Sequence, residues 1–228
     1  MTSPRRLTRT EASEAVEDIG WRYLLGTLTT TAAVSSLEQA LDAAAVAARA
    51  CGEDAGGHLR PLPRPDRLEL ELQTAAVAAV TERDVDLARA VSEALGELGL
   101  TTSWQGPGRS VQQLELAVDA LDIPAVRPFW KRVLGYEGEP GSDGPRDALV
   151  DPSREGPAVW FQQMDAPRPQ RNRIHLDVTV PHDEAEGRVA AALAAGGRLV
   201  SDDAARAFWV LSDAEGNEVC VCTWQDRD

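Results

Sequence analysis

Proton transfer and metal binding near neutral pH fall mainly to histidine, cysteine and carboxylate side chains, and this chain is sparing with the first two. It has three histidines, His58, His175 and His182, and three cysteines, Cys51, Cys220 and Cys222. His58 is the single histidine of the first half. His175 and Cys220 both lie in the second half, where a thiol beside an imidazole could be activated as a nucleophile. Cys220 and Cys222 are one residue apart, so on a strand they share a face, and alone such a pair is a weak metal signal. His182 follows Pro181 and reads as a solvated turn residue. The chain has no G-x-S-x-G elbow and no phosphate-binding P-loop.

The elements that must position these residues are legible from periodicity. Ser36 with Gln39 resembles a capping box ahead of the helical stretch LEQALDAAAVAARA, which Gly52, Gly56 and Gly57 close before a loop. Trp21 to Val34 reads as two short strands around Gly26. Arg67 to Thr74 alternates leucine with polar residues, the pattern of a half-buried strand. Thr81 and Asp84 open a helix that carries Val85, Ala88, Val91, Leu95 and Leu98 at helical spacing. The glycine-rich stretch TTSWQGPGRS, residues 101–110, reads as a linker. The expected domains are therefore 1–100 and 111–228.

After that stretch one pattern occurs twice. A strand around Glu115, Ala117 and Asp119 leads to a helix from Asp122 to Gly135, then a turn and the strand Ala158 to Gln163. A second strand, Ile174 to Val180, leads to a helix from Asp183 to Ala195, then a turn and the strand Glu218 to Cys222. Two such units at nearly equal period imply a pseudo-twofold pair of modules. Period-two alternation places His175, Asp177 and Thr179 on one strand face, opposite Ile174, Leu176 and Val178. Polar groups on one concave face, with Trp160 and Trp209, suit a flat organic ligand. The fold class expected is α+β: a small antiparallel sheet with helices, then paired βαβββ modules forming a cupped sheet.

Composition narrows the partners. Acidic residues outnumber basic ones, 37 against 23, and the net charge of −14 disfavours nucleic-acid backbones. No apolar run approaches the roughly 18 residues of a membrane span. The basic start leads into polar residues, not a signal core, so a cytoplasmic setting is expected, in keeping with three poorly spaced cysteines.

The segments LELAVDALDIPAVRPFWKRVLGYE, DPSREGPAVWFQQ, NRIHLDVTV and LSDAEGNEVCVC resemble the glyoxalase/bleomycin-resistance, or vicinal oxygen chelate, superfamily. Metal-dependent members hold their ion with four His or Glu ligands. The resemblance carries those positions onto Glu115, Gln162, His175 and Cys220, a set matching no common hard-cation or catalytic-zinc pattern. It therefore implies a metal-independent binder of a small organic molecule, contacted by Glu115, Trp160, Gln162, His175, Asp177 and Cys220, with no cofactor and with a divalent metal disfavoured. The alternative is a metal-dependent glyoxalase- or dioxygenase-like enzyme.

The first domain resembles the pterin-4a-carbinolamine dehydratase family through GEDAGGHLRP, LELELQTAA and AVTERDVDLA. The family's His-His-Pro element is replaced by Gly57-His58-Leu59, and the histidine after Thr74 by Ala75. Carbinolamine dehydration needs a proton delivered to the leaving hydroxyl and another removed from nitrogen, work suited to positioned imidazoles. With His58 alone retained as a catalytic candidate, the resemblance implies a degenerate site, His58 being a ligand contact or an exposed loop residue. The alternative is a lyase of the 4a-hydroxytetrahydrobiopterin dehydratase type. Relatives of this kind oligomerise through helices and sheet edges, so a homodimer is compatible.

Overall fold

The protein is described by a computed structural model covering residues 4–167, 174 and 176–226. It divides into two units, residues 1–113 and 114–228. Among the described residues no helix is long and apolar enough to cross a membrane.

The first unit runs α1 (Arg9–Glu14), β1 (Arg22–Leu24), β2 (Thr27–Ala33), α2 (Leu37–Cys51), α3 (Ala55–His58), β3 (Leu59–Pro63), β4 (Arg67–Leu72), α4 (Glu82–Glu97) and β5 (Thr102–Ser103). The strands pair in the order β1-β2-β4-β3, with β5 also on β2. Leu68, Leu70 and Leu72 of β4 and Leu28 of β2 turn one face inward, as the alternation requires. They pack with Ala43 and Ala47 of α2 and Val91 and Leu95 of α4.

Two parts of this unit depart from the sequence expectation. The stretch after α2, read as a loop, contains α3 and β3. Two prolines hid that strand, and its register explains how they are tolerated. Pro61 and Pro63 alternate with Arg60, Leu62 and Arg64, and Arg64 N–H donates to Arg67 O across the ladder. Both prolines thus turn their nitrogens outward, where this edge strand has no partner strand among the described residues to receive an N–H. The stretch 101–110, read as a linker, begins as β5 and continues as a hairpin, with Gln105 bridging Ser110 and Val111 N–H donating to Trp104 O at 2.9 Å. The Arg22 guanidinium lies 5.0 Å from the Trp104 ring centre, a cation–π contact that ties the hairpin to β1.

The second unit holds two modules of strand, helix and three strands. The first is β6 (Glu115–Ala120), α5 (Ile123–Leu134), β7 (Glu137–Gly138), β8 (Leu149–Val150) and β9 (Ala158–Gln163). The second is β10 (Asp177–Thr179), α6 (Ala185–Ala194), β11 (Arg198–Ser201), β12 (Phe208–Ser212) and β13 (Glu218–Cys222). Each forms a four-stranded sheet, ordered β6-β9-β8-β7 and β10-β13-β12-β11, and in each the first and last strands pair in parallel. Asp122 caps α5 by accepting Ala125 N–H, and Gly135 ends it in the left-handed conformation. The buried face of α5 carries Val126, Phe129, Trp130 and Val133, which share one core with Val189 and Ala192 of α6. Phe129 and Trp130 meet edge to face with centroids 5.6 Å apart, worth about 0.5–1.5 kcal/mol beyond their burial.

Candidate functional site

In the first unit, α3 ends at His58, and the first turn of α4 brings Asp84 against it. His58 Nδ1 lies 2.7 Å from Asp84 Oδ1. Asp84 is fully buried, and its other oxygen accepts Thr81 N–H at 2.7 Å and the Thr74 hydroxyl at 2.7 Å. A carboxylate that already accepts these donors calls for a proton on His58 Nδ1; in the neutral tautomer that matches this, Nε2 is the acceptor. The His58 side chain is 13 % exposed, so it is neither a free loop residue nor sealed in the core. Thr81 and Asp84 open α4, as the sequence predicts, and form a capping box there; that the same carboxylate orients the histidine is visible only in the structure. The replaced positions stand open: Gly57 and Ala75 are both exposed.

In the second unit, strand register decides which expected residues meet. Leu116, Val118, Val159 and Phe161 point to the helices. Glu115, Ala117, Asp119, Ala158, Trp160 and Gln162 occupy the opposite face. Glu115 pairs with Ala158, Ala117 with Trp160, and Asp119 with Gln162. Glu115 and Gln162 are thus four register positions apart, roughly 13 Å along the strands. Trp160 is 38 % exposed between two small alanines, one on its own strand and one across the ladder.

In the other sheet Asp177 pairs with Cys220 and Thr179 with Cys222. Cys220 is only 1 % exposed, so the thiol expected at a ligand position is sealed in, while Asp177 beside it is exposed. His175 lies outside the described residues. Trp209 pairs with Val221 and packs toward the core, not toward a ligand face. His182 is exposed and meets Trp224 edge to face at 5.5 Å.

Residues 115–222 match the glyoxalase-like domain family, and residues 5–94 match the pterin 4 alpha carbinolamine dehydratase family. The chain joins a domain of each kind. No curated protein matches it. Among solved structures, a glyoxalase/bleomycin resistance protein/dioxygenase family enzyme from Burkholderia phytofirmans is 18% identical over 48% of this chain and 95% of its own, with a TM-score of 0.39. A glyoxalase/bleomycin resistance protein from Albidiferax ferrireducens is 18% identical over 48% of this chain and 95% of its own, with a TM-score of 0.38. A transcriptional coactivator/pterin dehydratase from Brucella melitensis is 26% identical over 40% of this chain and 98% of its own, with a TM-score of 0.36.

Proposed function

We propose that this chain is a metal-independent binder of a small organic molecule, with the ligand on the Glu115, Trp160, Gln162 and Asp177 faces of the glyoxalase-like domain. The observation that carries the reading is the β6–β9 register. A divalent ion draws its donors to within about 2.0–2.6 Å of one point. Glu115 stands beside Ala158, while Gln162 stands beside Asp119, and Cys220 is buried within its sheet. The described donors therefore do not fit a shared ion, and Gln162 would bring no charge to it. Trp160 between Ala117 and Ala158 offers an apolar platform with polar neighbours two residues away along each strand, which supports a flat ligand. The proposal includes a cytoplasmic setting, supported by a cysteine content too low for a disulfide framework.

A second reading has its own observation. The His58–Asp84 pair keeps one oriented imidazole in the dehydratase-like domain, enough for one of the two proton transfers that carbinolamine dehydration needs. The first reading holds that this leaves dehydration negligible. Metal analysis of gently purified protein, with a thermal-shift panel of pterins, ketoaldehydes and aromatic antibiotics, separates the readings. A tight stoichiometric divalent metal overturns the metal-free binder. Dehydration that disappears in His58→Ala establishes the lyase.

A further inference from the structure

The face of the first sheet turned away from the helices is polar, and the hairpin after β5 roofs it. Cross-strand pairs on that face are Thr29 with Glu71, Thr31 with Glu69 and Ala33 with Arg67. Thr31 donates its hydroxyl to Ser103 O at 3.0 Å, and Gly106 lies so close that an added Cβ would meet Thr31 Oγ1 at 3.2 Å. Between sheet and hairpin is a cavity of about 60 Å³, lined by the threonine, glutamate and arginine side chains of these pairs below and by Gly106, Arg109 and Gln112 above. The roof belongs to neither family match, since residues 95–114 fall between the two.

Three observations define what the cavity would hold. Thr29 is buried, and its Oγ1 has no hydrogen-bond partner among the described residues. Such a buried hydroxyl is costly unless something else bonds it. The lining carries two guanidinium groups, Arg67 and Arg109, and two carboxylates, Glu69 and Glu71. A bare anion would meet both carboxylates and a bare cation both guanidinium groups, so a molecule bearing both signs fits best. Arg67 is already matched, its Nε bonding Glu69 at 2.7 Å, whereas the hydrogen bond of Arg109 goes to Ser110 O. Glu71 pairs with Arg60 at 3.6 Å. One water needs roughly 10–15 Å³ of such space, so the cavity holds a molecule of about four to six non-hydrogen atoms.

We propose that this cavity binds a small zwitterionic amino acid of the size of glycine or alanine. Its carboxylate meets Arg109, and its ammonium group meets Glu71 and the Thr29 hydroxyl. The test is an NMR titration of the full chain, isotope-labelled in its amides and threonine methyls, with glycine, alanine, leucine, acetate and methylammonium. Glycine and alanine should give saturable shifts at Thr29, Thr31 and residues 106–112, with a Kd on the order of 1 mM, as suits so small a ligand. Leucine, acetate and methylammonium should bind at least about tenfold more weakly, each lacking either the fit or one of the two charges. Arg109→Gln should weaken glycine binding at least about fivefold. Thr29→Val keeps the shape and removes the unpartnered hydroxyl, so it should raise Tm while also weakening glycine binding. The proposal is overturned if glycine gives no saturable shift up to about 50 mM, well above the expected Kd. It is equally overturned if acetate or methylammonium alone binds as tightly, or if both variants keep the parent affinity.

Discussion

Trp130 donates its indole N–H to Asp213 Oδ2 at 3.0 Å, and both side chains are buried. Trp130 is on the helix of one module and Asp213 in the turn before the last strand of the other. The same turn closes on the first module twice more: Asn217 Nδ2 donates to Asp119 O at 3.2 Å, and Glu215 accepts Leu121 N–H at 2.7 Å and Asp122 N–H at 2.6 Å. Asp213 also holds its own turn by accepting Glu215 and Asn217 N–H. Asp213→Ala should therefore destabilise the second unit by about 2–4 kcal/mol, since it strands the buried Trp130 indole N–H and the half-buried donors of its own turn at once. Trp130→Phe should cost about 1–2 kcal/mol and add little on top of Asp213→Ala. Urea unfolding of the four-member cycle reads this. Strict additivity would mean the two residues do not act as a pair.

That lock was half legible in the sequence. The DAEGN stretch reads as a turn from its residue types, but nothing local says that its carboxylates reach residues 119–130. Both domains were readable because their strands alternate and their helices carry apolar residues at helical spacing. Register was not readable: β9 offers Ala158, Trp160 and Gln162 on one face, and only tertiary pairing sets Ala158 beside Glu115. The hairpin after β5 was lost for a related reason. Glycine and proline signal a turn equally well in a linker and in a hairpin tip, and it is the pairing of Thr31 with Ser103 that distinguishes them. His58 lacked its partner in the sequence because Asp84 already had a sufficient local role as a cap.

The His58–Asp84 geometry makes a prediction about proton position. Long-range ¹⁵N–¹H spectra of the neutral ring should show the proton on Nδ1, facing the carboxylate, and a lone pair on Nε2. Asp84→Asn should abolish that preference. Dehydration should be close to the uncatalysed rate in the parent chain and rise at least about tenfold when Gly57→His and Ala75→His are combined, since each positioned acid or base contributes roughly 10²–10⁴-fold. An added Cβ at Gly57 meets none of the described residues within 4 Å, so the first substitution has room. An inactive double variant that folds normally would show that the loss lies in the scaffold as well as the side chains.

The thiols should be inert in the folded chain. Cys51, Cys220 and Cys222 are all nearly inaccessible, and burial pushes the Cys51 thiol up to about 11. The thiolate is the reactive form, so at neutral pH Cys51 is both covered and protonated. Labelling with a chromogenic disulfide should be slow in buffer and reach three thiols per chain in denaturant. A fast phase of one equivalent under native conditions would contradict the packing of α2 against its sheet.

A pH dependence follows from the loop between β7 and β8. Arg127 is buried on α5 and donates to Asp143 Oδ1 at 2.6 Å and to Asp147 O at 2.8 Å. The Arg127 hydrogen bond, with help from Lys131, holds the Asp143 carboxyl below its ordinary value. Its folded pKa thus lies below its unfolded one, so the unfolded chain takes up the proton first as pH falls. The stabilisation from Asp143 is complete above the ordinary aspartate range, near pH 4, and is lost as pH drops through the lower folded value. Asp143→Asn should lower stability by a constant amount from pH 5 to 7, and the gap to the parent should narrow below about pH 4. Because Asp143 is half exposed, added salt should shrink the gap at every pH. Urea titrations of both chains across this range measure it directly. A gap that stays the same at pH 3 would mean that Asp143 acts through the shape of its loop, with Asp147 O alone sufficient to hold the Arg127 charge.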